Sequence, residues 1–185
     1  MKQTDAKDNK KMDFSDLSRR IDNCPTTWIR VSIAAQALEL CQRNHIQQSF
    51  PVSTSKKEPC NIENSFGTPR GLHVIEAKIG EKAPWGMIFV DRVARGKCFW
   101  QWPPSPESLI TSRILRLRGL ENGINAGQDK SGNVCDSFAR YIYIHGTNRE
   151  DCIGRPFSKG CVLLNNADMI DLFDRVTEGT PVWIF

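Results

Sequence analysis

Ala139-Arg140-Tyr141-Ile142-Tyr143-Ile144-His145-Gly146-Thr147 reads as a β-strand that closes on a histidine and a glycine. Tyrosine and isoleucine suit the pleated, half-buried surface of a sheet. Strand alternation puts the Tyr143 and His145 side chains on one face. At the strand end His145 can point into a cleft while the next backbone carbonyl orients its ring; the plainer alternative is a histidine that caps a loop. Sixteen residues further on, Ser158-Lys159-Gly160-Cys161-Val162 places a cysteine behind a glycine. A thiol nucleophile needs a neighbouring base to raise its thiolate fraction near neutral pH. It also needs backbone N–H donors for the oxyanion that forms. Gly160 carries no side chain, so the backbone at Cys161 can approach a substrate carbonyl and present such donors. With His145 as base and Cys161 as nucleophile, the protein is expected to be a cysteine acyltransferase or hydrolase.

Working outward, the remaining strand signals set the fold class. Trp28-Ile29-Arg30-Val31-Ser32-Ile33 alternates, with Ile29, Val31 and Ile33 opposite Trp28, Arg30 and Ser32. Leu38 and Leu40 alternate with Glu39 and Cys41, and further strands are expected over Ile46–Val52, Leu72–Ile79, Met87–Val93, Ile114–Arg118 and Pro181–Phe185. Short strands broken by Gly, Pro and Asn clusters indicate a mainly β fold, a sandwich or barrel rather than a doubly wound sheet. One helix should follow Cys161. Asn165 or Asn166 caps it, Met169, Ile170, Leu172, Phe173 and Val176 form its apolar stripe, and Gly179 is its expected C-terminal stop. A small N-terminal helix is expected over 13–22, with Asp13 as cap. Residues 1–27 thus read as a polar tail with a short helix, its first dozen residues disordered, and 28–185 as the catalytic domain.

The chain has 185 residues, enough for one domain with a full core. Its net charge of +4 is too mild for a nucleic-acid footprint. No apolar run approaches the ~18 residues of a membrane span. The first residues carry positive charge without an apolar core or cleavage signal, so no standard secretory leader is read and a cytoplasmic location is expected for the chain as encoded. The seven cysteines are odd in number and show no C-x-x-C spacing, which argues against zinc and against a dithiol redox site. Cysteines other than Cys161 read as buried, inert thiols, or as disulfide partners if the protein is exported. Trp85, Trp100 and Trp102 could stack on sugar but more plainly serve packing, and Arg116 and Arg118 read as a solvated strand face.

Together, the strand ending in His145-Gly146-Thr147, the run Ile153-Gly154-x-Pro156-x-Ser158-x-Gly160-Cys161-Val162 and the Asn-capped helix resemble the L,D-transpeptidase catalytic domain (YkuD-type). Gln36, Phe50-Pro51-Val52-Ser53-Thr54, Gly67-Thr68-Pro69, Arg113–Glu121 and Gly179-Thr180-Pro181-Val182 agree in order, so the resemblance covers about 28–185. It implies a cysteine enzyme acting on peptidoglycan stem peptides, with peptidoglycan or muropeptides as partner, no nucleic acid, no cofactor, no metal and a monomeric chain. Cys161 would attack the carbonyl between the L-centre of diaminopimelate and the terminal D-alanine, and a second stem amine would resolve the thioester. His145 would move the proton and the Gly146 carbonyl would hold its ring. Backbone N–H groups of Lys159, Gly160 and Cys161 would line the oxyanion hole, and Tyr143, Thr147 and Ser158 would touch substrate. Such a substrate lies in the cell envelope or periplasm, in tension with the missing leader.

Two departures stand out. Many family members carry a histidine where Lys159 stands and an arginine where Leu163 stands. Arg155, Lys159 and Arg116 are the candidates to replace that cation. The alternatives to a transpeptidase are an L,D-carboxypeptidase, with water as acceptor, and a non-catalytic peptidoglycan-binding relative.

Overall fold

The computed structural model of the chain describes residues 12–185. The tail expected to be disordered therefore falls almost wholly outside the described residues. Met12 is already buried against the domain.

Strand alternation dictates a sheet with two different faces. Strands β1 (Thr27–Ser32), β2 (Ala37–Gln42) and β3 (His45–Pro51) form an antiparallel meander. On its other edge β1 pairs in parallel with the last strand, β10 (Pro181–Ile184), which in turn pairs with β4 (Gly71–Ile79). Ile29, Val31, Leu38, Leu40, Val182 and Ile184 point into the main core. Trp28, Cys41, Leu72 and Trp183 point the other way and are covered by Met12 and Leu17 of the N-terminal segment.

The branch point is β7 (Ile110–Gly119). Its C-terminal half pairs with β4, its N-terminal half with β5 (Met87–Val90), and its other edge with β8 (Tyr143–Thr147). A register shift between Thr111 and Ile114 lets one strand serve both halves. The three-residue β9 (Val162–Leu164) runs parallel to β8. Helix α2 (Asn166–Arg175) lays Met169, Leu172 and Phe173 onto the core made by β7, β8 and β9. Each such fully buried side chain contributes about 1.5–3 kcal/mol. The mainly β expectation thus holds, as one branched mixed sheet closed by a helix.

Five local expectations are corrected. Met87–Val93 is two strands, β5 and β6 (Val93–Cys98), because Asp91 and Arg92 both take positive φ (50° and 68°) and reverse the chain in two residues. The strand before His145 starts at Tyr143, since Asp136 Oδ1 accepts from the Ala139 N–H and bends 136–141 into a turn. Helix α1 (Phe14–Ser18) is capped by Asp13 as expected but stops early, where the chain turns toward β1. Helix α2 ends at Arg175 with Val176 extended, so Gly179 is not its terminal residue. Instead Lys78 Nζ donates to the Phe173 carbonyl at 2.6 Å and to that of Val176. Arg116 is half-buried over the Phe138 ring, 3.4 Å from its centroid, and is not a solvated partner of exposed Arg118.

Candidate active site

Parallel pairing of β8 and β9 joins the two sequence motifs. His145 lies opposite Leu163 and Ile144 opposite Val162, which brings Cys161 to the level of Tyr143. The crossover between the strands is held to the segment after β3: Ser53 exchanges two backbone hydrogen bonds with Leu163, and Thr54 O accepts from Phe157 and Ser158. His145, Ser158, Lys159, Cys161 and Leu163 share a cavity of about 260 Å³ whose opposite wall is Pro106, Glu107, Ser108 and Ile110.

His145 is 3% exposed, and its Nδ1 lies 2.8 Å from the Gly146 carbonyl. A carbonyl only accepts, so Nδ1 carries the proton and Nε2 keeps its lone pair. Burial pulls the imidazole down to about 4, against the Gly146 carbonyl. Cys161 Sγ donates to the Tyr141 carbonyl at 3.6 Å. Burial pushes this thiol up to about 11, opposed by a backbone hydrogen bond from Tyr143 and the charge of Arg140. At neutral pH the pair therefore rests uncharged, as thiol and imidazole.

Each carbonyl in this arrangement is placed by something distant in sequence. Tyr141 takes φ 57°, ending the turn that aims its carbonyl at Sγ. The adjacent Arg140 donates to the carbonyls of Cys60, Asn61 and Gly67 at 3.1, 2.8 and 2.8 Å, fastening the 60–67 loop beside the Cys161 turn. Gly146 is required for space: a Cβ there would sit 2.7 Å from Thr111 O and 2.8 Å from Asn166 Oδ1. Asn166 is completely buried. Its Oδ1 accepts from the Thr111 and Ser112 hydroxyls at 2.6 Å each, and its Nδ2 donates to Thr147 O and Glu150 Oε1. The cap of α2 is Asn165, whose Oδ1 accepts from the Asp168 N–H.

The other expected site residues separate. Ser158 lines the cavity, but its hydroxyl is engaged within the turn, donating to Cys161 O at 2.6 Å and accepting from Gly160 N at 3.2 Å. Of the three N–H groups expected to face an oxyanion, that of Gly160 is thus already bonded. Tyr143 and Thr147 do not line the cavity. Tyr143 packs with Met87, Phe89 and Ile114 in a cluster that Cys161 adjoins, and accepts from Arg92 at its hydroxyl, while Thr147 is buried against Ser108. Leu163 is 1% exposed on the cavity wall. Cys24, Cys60, Cys98, Cys135, Cys152 and Cys161 are free thiols.

The profile of the L,D-transpeptidase catalytic domain, YkuD, matches residues 26–184. The chain belongs to that family. A probable L,D-transpeptidase ErfK/SrfK of Escherichia coli is 38% identical over 86 residues, 45% of this chain and 27% of the relative. A putative L,D-transpeptidase YqjB of Bacillus subtilis is 44% identical over 45 residues, 24% of this chain and 26% of the relative. The matched part therefore spans about a quarter of these curated relatives. The fold is shared with the solved Bd1075 of Bdellovibrio bacteriovorus (TM-score 0.53, 16% identity, 89% of this chain and 49% of that one). It is also shared with an L,D-transpeptidase from Mycobacterium smegmatis (TM-score 0.51, 17% identity, 86% and 58%).

Within this L,D-transpeptidase domain, Tyr141, Arg140, Asn166 and Glu107 join the site although none was expected there from sequence. The paired asparagines after β9 were a signal for Asn166, since only one of two can be the cap. For the others no local signal exists; each acts on a residue brought near by folding.

Proposed function

We propose that the protein is a cysteine acyltransferase of peptidoglycan stem peptides, working by L,D-transpeptidation through a thioester on Cys161. The observation that carries this reading is one cavity holding Cys161 and a neutral His145 whose Nδ1–H is fixed on the Gly146 carbonyl. Because thiol and imidazole titrate far apart, proton transfer accompanies attack and does not precede it. His145 Nε2 takes the thiol proton as Sγ bonds to the scissile carbonyl carbon. Backbone N–H groups of Lys159 and Cys161 receive the developing oxyanion. When the tetrahedral adduct collapses, the C–N bond breaks, His145 returns the proton to the departing D-alanine amine, and the thioester remains. The amine of a second stem then attacks, gives its proton to Nε2, and Sγ leaves as thiolate to recover that proton. No step calls on a metal or an organic cofactor.

The test is mass spectrometry of the protein with diaminopimelate-containing tetrapeptide muropeptides, with Cys161→Ala alongside. Expected are a +acyl adduct on Cys161 and loss of terminal D-alanine in the wild type alone. Cross-linked dimers mean an amine acceptor; tripeptides mean water and an L,D-carboxypeptidase. If both proteins leave the muropeptides intact, the acyltransferase reading falls and a binding role replaces it.

A further inference from the structure

The catalytic cavity is uncharged inside and charged at its rim. His145 is neutral and Leu163 apolar on the inner wall, whereas Lys159 and Glu107 face each other at the opening, Nζ 2.7 Å from Oε1, with side chains 57% and 66% exposed. Lys56 stands beside Lys159: its backbone N–H donates to Ser158 O at 3.2 Å, and Ser55 pairs with Ser158 in a parallel bridge. A second, adjoining cavity of about 290 Å³ is walled by Lys56, Lys57, Phe66, Ser158 and Lys159. Across the residues lining both cavities, three lysines meet a single acid.

We propose that Lys159 and Lys56 form a carboxylate-binding subsite at the cleft mouth, which Glu107 occupies as an internal stand-in for a carboxylate of the substrate. The proposal rests on the stem-peptide reading above, in which a terminal carboxylate lies one residue beyond the scissile carbonyl. Burying an ionised carboxylate against neutral His145 and Leu163 would leave it unpaired, which is costly. At the mouth it meets Lys56 and also Lys159, which lies two residues before Cys161. Exposed ion pairs hold weakly, so an incoming carboxylate can exchange with Glu107. The excess of lysine leaves positive charge for a second anionic group. The Lys159 ammonium also holds the Glu107 carboxyl below its usual range, aided by Lys56, as expected of a carboxylate already seated in a cationic site.

Two electrophiles of nearly equal size read the subsite without any transpeptidation. Iodoacetate carries a carboxylate and iodoacetamide an uncharged amide; in each case the Cys161 thiolate displaces iodide and forms a thioether. The ratio of their rates at Cys161 is followed by peptide mass spectrometry, with partly exposed Cys24 as internal reference. Glu107→Gln should raise the iodoacetate-to-iodoacetamide ratio about three- to tenfold, and Lys159→Met and Lys56→Met should each lower it by a similar factor. High salt should compress all three differences. A ratio that stays within twofold of wild type in Glu107→Gln and Lys159→Met overturns the subsite. In a second arm, the same variants are given acyl donors ending in a carboxylate or in the corresponding amide. The kcat/KM preference for the carboxylate donor should rise in Glu107→Gln and fall in both lysine variants. Turnover without any such change, together with a flat alkylation ratio, sinks the subsite and leaves the stem-peptide reading standing. Altered alkylation ratios with neither donor processed sink the stem-peptide reading and leave an anion-selective thiol.

Discussion

The inner wall of the cleft and its mouth are built on opposite principles. Behind His145, buried polar groups hold one another: Asn166 makes four side-chain hydrogen bonds, Gly146 O holds Nδ1, and Tyr141 O accepts from the thiol. Such groups are expensive to disturb, because losing one partner leaves another unsatisfied in low dielectric. At the mouth, Lys56, Lys159 and Glu107 are exposed, and their pairing is screened by water and salt. The difference separates two tasks. On the proposed reading, proton transfer would demand a base held to a fraction of an ångström, while admitting and releasing a charged peptide would demand contacts that exchange.

Four experiments would break or sharpen that contrast. The largest effect should come from acid. His73 and His145 are both buried, and desolvation lowers each from 6.5 to about 4. For a base whose folded pKa is depressed, the unfolded chain binds the proton first. The neutral form's contribution is present in full above about 6.5, declines as pH falls, and is gone below about 4. Each histidine should account for a loss on the order of 3 kcal/mol over that window. Urea denaturation at steps from pH 7.5 to 4.5 checks this, and a flat profile would show that these imidazoles are not held neutral by burial.

Next in size, His145→Gln should slow acylation of Cys161 by about 10²–10⁴-fold. Single-turnover mass spectrometry reads the rate, and a loss under tenfold would remove His145 from the role of base. Asn166→Leu should destabilise the fold by about 3 kcal/mol, since Glu150, the Thr147 carbonyl and two hydroxyls lose their shared partner. A thermal midpoint equal to wild type would mean that water satisfies these groups and that the inner wall is less rigid than its hydrogen bonds suggest. The smallest effect belongs to the mouth. Glu107→Gln should leave the thermal midpoint essentially unmoved, and a clear drop would make the Lys159–Glu107 pair structural rather than exchangeable.

Legibility in the sequence followed the range of the interaction involved. Ile29, Val31, Leu38 and Leu40 alternate because each contributes to a face of its own strand, and α2 announces itself through Asn165, Asp168 and the Met169–Leu172–Phe173 stripe. The β5–β6 turn has no local signature, because Asp91 and Arg92 adopt positive φ without a glycine to signal it. Arg116 read as solvated because its partner ring, Phe138, comes from a turn 22 residues away. Lys78 replaced the expected glycine at the end of α2 from 95 residues away.

By itself the sequence determined the strand-and-helix pattern and the presence of a histidine after an apolar strand and a cysteine after a glycine, since backbone propensity and side-chain type are local properties. Only the tertiary structure decided that His145 and Cys161 line one cavity, that the Tyr141 carbonyl rather than a neighbour in sequence accepts the thiol's hydrogen bond, and that Glu107 sits on Lys159. Those facts depend on the parallel register of β8 and β9 and on a loop whose Glu107 lies 52 residues from Lys159 in sequence. A linear chain encodes such contacts only through the free energy of the whole fold.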